Sequence, residues 1–217
     1  MRGNIPRNLY PLRYTIVFNM DGYTIHIMPN GSAKRSRTKR ISYTAMMIAL
    51  AVALRLLKNS LFGPFQFVNF PGVFTVVSGI IFGPTIAMVV GAGSYLLSDV
   101  LIGLPGYYTL TNMFLMGGIG LITGLIWKRS NRTDISKIGI GVGTYIIMLA
   151  FDIISSFAFY AILGVPMTAA LAVGIGGLFM PSGGGVIYGI GPITEAATAI
   201  LVVMIAHVLL QNKMVKT

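Results

Sequence analysis

Six long apolar runs constrain this chain more than any other feature: Ile41 to Leu57, Val68 to Phe82, Thr85 to Ile102, Tyr108 to Trp127, Ile138 to Leu163 and Val186 to Leu210. Each is continuous rather than alternating and exceeds the roughly 10 residues of an outer-membrane strand, so the element they dictate is the α-helix. Charged residues make up 10% of the chain, against about 25% in soluble domains, which is too few to cover a globular surface in water. The expected fold is an all-α integral membrane protein, multi-pass in the cell membrane, with six transmembrane helices over residues 41–217 and a basic extension over residues 1–40. The second helix is the shortest, because Asn69, Pro71 and Gly72 also suit the loop before it.

The chain holds 16 Lys and Arg against 5 Asp and Glu, a formal net charge of +11. In a soluble protein that excess would suggest nucleic acid; its placement argues for the bilayer instead and against nucleic acid as a partner. Eight of the basic residues precede Ile41, Lys128, Arg129, Arg132 and Lys137 share one polar break, and Lys213 and Lys216 close the tail. With both termini cytoplasmic, all of these fall on the inner side, as the positive-inside rule requires. Arg55 and Lys58 are the exception. Trp127, just before Lys128, reads as an interfacial anchor. In the extension, Tyr14 to Phe18 and Tyr23 to Ile27 flank an Asn-Met-Asp-Gly turn and suit a small hairpin; the alternatives are an extension without fixed structure, or translation starting near Met28 with Ser32 to Arg40 as the lead-in to the first span.

Enzyme signatures are missing. There is no cysteine, and the two histidines, His26 and His207, assemble neither a zinc pair nor a Ser-His triad. The G-x-G pieces lie within apolar spans and follow no strand, which speaks against a nucleotide site. No cofactor or metal is expected, and ATP, if used, binds another chain.

Asp99, Asp152 and Glu195 lie inside the spans. A charge there costs at least about 2.5 kcal/mol on insertion scales, so each needs a partner or a cavity. At about 1.5 Å per residue, Asp152 and Glu195 sit roughly 14 to 17 Å from the outer helix ends, and Asp99 is shallower. Asp152, Ser155, Ser156 and Phe159 share one helical face; Tyr188, Gly191, Pro192, Glu195 and Thr198 share another. With Gln66 and Asn69 in the aromatic-rich first outer loop, and Tyr108 and Asn112 at the start of the fourth span, they form the candidate substrate-binding set: Gln66, Asn69, Tyr108, Asn112, Asp152, Ser156, Phe159, Tyr188 and Glu195. Interhelical hydrogen bonding without a ligand is the plainer reading of the carboxylates. Their charge suits a cationic or hydrogen-bond-donating ligand, such as a thiamine-like or pyrimidine-like molecule. The uncharged, Gly-rich stretch Val165 to Gly185 is expected to be an outer loop, partly helical. Ala45, Ala49 and Ala53 line one side of the first helix, where small side chains let backbones approach, and further ladders at Gly79 and Gly83, Ala87 and Gly91, Gly120 and Gly124, and Gly139 and Gly143 read as internal packing.

The basic lead-in, the Ala45, Ala49, Ala53 ladder, and the stretch SGIIFGPTIAMVVGAGSYLLSDVLIG with Gly83, Pro84, Gly91 and Asp99 together resemble the substrate-binding S component of energy-coupling factor (ECF) vitamin transporters. The resemblance runs from about Lys39 to the end. It implies high-affinity capture of a vitamin or other micronutrient from outside, beneath a lid formed by Phe62 to Phe70. It also implies docking of the alanine ladder on an ECF transmembrane coupling subunit that two ATPase subunits drive. The forty-residue extension and the long last outer loop depart from the family pattern. A stand-alone ion- or proton-coupled carrier, with Asp152 and Glu195 titrating, is the alternative, and a purely structural membrane subunit is a third reading.

Overall fold

The computed structural model describes residues 14–18, 25–63, 67–103, 105–128, 136–176, 178–179 and 191–211. Two units are distinguished, Met1–Tyr43 and Thr44–Thr217. In the first, β1 (Tyr14–Phe18) and β2 (Ile25–Pro29) pair antiparallel, with Tyr14 opposite Pro29 and Phe18 opposite Ile25. Tyr23 and Thr24 of the expected second strand lie outside the described residues. Helix α1 (Asn30–Phe62) begins in this unit and ends in the other.

The second unit continues with α2 (Phe70–Phe82), α3 (Pro84–Ile102), α4 (Tyr107–Lys128), α5 (Lys137–Ile162), α6 (Met167–Gly176) and α7 (Gly191–Gln211). Among the described residues five helices are long and apolar enough to cross a membrane: α1 from Arg37, α3, α4 to Trp127, α5 and α7. The sixth expected span is α2, with 13 residues. The Gly-rich stretch after Val165 supplies a ten-residue helix, α6, which packs against α5. The expected start of the last span at Val186 lies outside the described residues; α7 is helical from Gly191.

Helix α2 is apolar on every side, and a helix of that kind has no face to offer water, so it is enclosed by others. Every residue from Pro71 to Ile81 is buried, against α3, α4 and α7. Around Val73, Val76, Val77 and Ile80 the core is completed by Val90, Met116, Met148 and Val202. Between helices in lipid, close backbone approach replaces the hydrophobic drive. Accordingly a methyl group added at Gly91 would sit 2.8 Å from the Met116 carbonyl carbon, and one at Gly120 would overlap the Ala87 carbonyl. Glycines 79, 91, 120 and 124 thus serve internal packing.

Gly83, at φ +90°, ends α2 and lets α3 begin on the next residue, where Pro84 takes the first turn without needing a hydrogen bond. Gly124, late in α4, lies against Pro84 at the start of α3, so these two helices run antiparallel. Trp127 is buried, its ring against Gly143 of α5, so it joins two helices instead of anchoring an interface. Outward positions such as Leu57, Val100, Ile146 and Ile200 are exposed and apolar, the surface a bilayer accepts and water does not.

Candidate functional site

The site lies at the end of the bundle where α1, α3 and α5 finish and α2, α4 and α7 begin. Its floor is the N-terminus of α2. Asn69 caps that helix: its side-chain Oδ1 accepts from Gly72 N at 3.0 Å, and its carbonyl accepts from Val73 N at 2.9 Å. This is the usual service of Asn at an N-cap. Its own backbone N–H donates to Thr198 Oγ1 of α7 at 3.0 Å, and the Tyr95 hydroxyl of α3 donates to the same Oδ1 at 3.3 Å. One residue therefore ties α2, α3 and α7 together while buried at 1% exposure.

Glu195 precedes Thr198 by three residues on α7, about 4.5 Å along the axis, which carries it just beyond the end of α2. It is fully buried, at 0% exposure. Asp152 reaches the same level from α5, one turn past Met148, whose sulfur packs where a Gly72 side chain would stand. The two carboxyl groups are close enough to interact. Tyr95 lies within electrostatic range of both, and of Arg55 and Tyr108.

Aromatic rings surround this polar group. Tyr95 meets Phe151 with centroids 5.6 Å apart, Tyr108 meets Phe159 edge-on at 5.7 Å, and Phe159 meets Tyr160 at 5.5 Å. These are the offset and edge-to-face arrangements aromatic pairs prefer. On α3, Asp99 forms an ion pair with Arg55 of α1, Oδ1 to Nη2 at 2.6 Å. Arg55 also donates to Ser98 Oγ and stacks over Tyr95, its Cζ 4.7 Å from the ring centroid. The two charges that looked anomalous in the sequence, Arg55 and Asp99, thus neutralise each other at one depth.

Several buried polar side chains gather here: Asn69 Nδ2 has no hydrogen-bond partner among the described residues, the Asn112 amide meets Tyr108, and the Glu195 carboxyl meets that of Asp152. Burying a polar atom without a partner costs about 1–3 kcal/mol, so polar groups gathered at one end of the bundle mark it as the candidate place for a ligand. Of the candidate set, the structure brings Asn69, Tyr108, Asn112, Asp152, Phe159 and Glu195 to this end. Ser156 is half-buried one turn beyond Asp152. Gln66 and Tyr188 lie outside the described residues.

Sequence reasoning passed over Tyr95, Phe151 and the partnership of Arg55 with Asp99. Ser94, Tyr95, Ser98 and Asp99 form a polar stripe at i, i+1, i+4, i+5 on an otherwise apolar helix, and that pattern carried the signal. Ala45, Ala49 and Ala53 are all exposed, so among the described residues no other helix covers this ladder, unlike the glycine ladders. Among the described residues no cluster of three or more His, Cys, Asp or Glu could hold a metal ion.

The comparisons with known proteins agree with this architecture. Residues 35–214 match the family model described as ECF-type riboflavin transporter, S component. The searches of curated proteins and of solved structures returned no match. An S component is a transporter subunit and not an enzyme, and it works as a multi-pass protein of the cell membrane together with ECF partners and a small-molecule substrate. With the family match spanning all the transmembrane helices, the chain belongs to the ECF-type riboflavin transporter S component family.

Proposed function

We propose that the chain captures riboflavin, or a flavin of the same ring system, at the outer face of the membrane and delivers it inward within an ECF transporter. The observation that carries this reading is the group of buried polar side chains Asn69, Asn112 and Glu195, set among Tyr95, Tyr108, Phe151 and Phe159. A flat tricyclic ring with one polar edge needs both surfaces, aromatic faces to pack on and a few placed polar groups to read the edge. The family description names riboflavin for its members, and a neutral flavin fits this mixed donor and acceptor set better than the cationic ligand suggested by the carboxylates alone.

The orientation rests on the positive-inside bias. That bias puts both termini and the basic break from Lys128 to Lys137 inside, and the site at the opposite, outer end. The exposed ladder Ala45, Ala49, Ala53 is the docking stripe for a transmembrane coupling subunit moved by two ATPase subunits. Its exposure supports that role, since a small-residue stripe left uncovered within one chain suits a helix of another. Asp152 beside Glu195 would also serve a lone proton-coupled carrier, but family membership favours the multi-subunit transporter.

The test is titration of the detergent-purified full chain with riboflavin, followed by quenching of flavin fluorescence. Saturable binding at one flavin per chain is expected. Absence of quenching up to the solubility limit of riboflavin would overturn the reading.

A further inference from the structure

We infer that Arg55 and Asp99 are positioning residues of the site: their ion pair seats the Tyr95 ring, and the Tyr95 hydroxyl in turn seats the side chain of Asn69 at the floor. This deepens the flavin reading above and rests on it, and it requires neither charge to touch the ligand. Stability alone does not account for the pair. Two charges taken into an apolar bundle carry a desolvation cost that their attraction often fails to recover, so well-packed apolar side chains would join α1 to α3 about as firmly. What apolar side chains lack is direction.

The guanidinium supplies it. Tyr95, Ser98 and Asp99 stand at i, i+3 and i+4, neighbours on one face of α3, and Arg55 meets all three. Its Nη2 pairs with Asp99 Oδ1 at 2.6 Å, its Nη1 donates to Ser98 Oγ, and its Cζ lies over the Tyr95 ring, 4.7 Å from the centroid. Ser98 is itself held, its hydroxyl donating to the Ser94 carbonyl at 2.6 Å. A planar fork with fixed donors can make these contacts together, where a lysine ammonium is a compact point charge. Phe151 of α5 bounds the same ring, with centroids 5.6 Å apart. The Tyr95 hydroxyl then donates to Asn69 Oδ1 at 3.3 Å, the oxygen that also accepts from Gly72 N at 3.0 Å, while the Asn69 N–H is held by Thr198. Two donors from different helices on one oxygen fix which way the amide faces. A chain of contacts thus runs from α1 through α3 to the cap of α2.

The experiment measures riboflavin affinity by fluorescence quenching, beside stability by unfolding in SDS, on the full-length chain. The variants are Tyr95→Phe, the paired replacement Arg55→Met with Asp99→Leu, and all three changes together. Tyr95→Phe and the paired replacement are each expected to weaken riboflavin at least about threefold, the equivalent of one hydrogen bond, with the paired replacement near wild-type stability. The triple variant should stay within about twofold of Tyr95→Phe, because the ion pair acts through the hydroxyl. A smaller loss in the paired replacement, or a larger further loss in the triple variant, would overturn the inference while leaving flavin capture standing. No riboflavin binding by wild type would remove both. Should the paired replacement fail to fold, Arg55→Lys takes its place: it keeps a charge for Asp99, loses the fork, and is held to the same limits alone and on Tyr95→Phe.

Discussion

Removing Arg55 should unmask how much of the bundle depends on one ion pair. The Asp99 side chain is 6% exposed and that of Arg55 19%, so solvent screens the pair little, though Arg55 keeps some contact with the surface. Breaking a buried pair from one side costs about 3–5 kcal/mol, because the remaining charge loses its partner. The partial exposure of Arg55 places the expectation near the lower end. Arg55→Met also loses the bond to Ser98 and the stacking on Tyr95, adding about 1 kcal/mol, for a total of about 4 kcal/mol. Asp99→Leu should cost less, about 2 kcal/mol, since the guanidinium left behind retains Tyr95 and its partial exposure. The double variant Arg55→Met with Asp99→Leu should return to within about 1 kcal/mol of wild type, as replacement of a buried pair by apolar side chains often does. Reversible unfolding by SDS in mixed micelles, followed by the emission of Trp127, the chain's single tryptophan, measures all four proteins. A double variant as unstable as the sum of the two singles would refute the reasoning, and so would an Arg55→Met protein within about 1 kcal/mol of wild type.

Gly120→Ala, whose methyl overlaps the Ala87 backbone, should destabilise by about 1–3 kcal/mol as α3 and α4 are forced apart, whereas Gly118→Ala, with nothing within 4 Å, should be neutral or slightly stabilising in the same unfolding assay. Thr198→Val leaves the Asn69 N–H without its acceptor and should cost about 1–3 kcal/mol, with weaker flavin quenching because the cap residue is no longer held. Ala49→Trp, on the exposed ladder, should leave flavin binding within about twofold and abolish co-purification with the coupling subunit; intact co-purification would remove the docking role of that stripe.

The helices were legible because length and hydropathy alone decide them in a membrane, and the ends of α3, α4 and α5 fall within a residue or so of the apolar runs. Asp152, Glu195, Asn69 and Asn112 were legible for the related reason that polar groups are costly in hydrocarbon and so announce themselves. What could not be read was pairing. That Arg55 meets Asp99 and not Asp152 depends on which helices are neighbours, and an apolar run carries no record of its neighbours. Trp127 misled for the same reason: an aromatic residue beside lysines suggests a membrane surface, and only the approach of Gly143 turns it inward.

Helix α2 has 13 residues, about 20 Å of rise, in a membrane whose apolar layer is about 30 Å deep. Its neighbours run the full distance, so the central pillar of the bundle stops roughly two turns short. The candidate site lies beyond the start of that pillar, and Asn69 is its floor because the helix begins there. The depth of the candidate site is therefore set by where one helix starts, and an insertion that lengthened α2 by two turns would carry main chain to the level of Asp152 and Glu195.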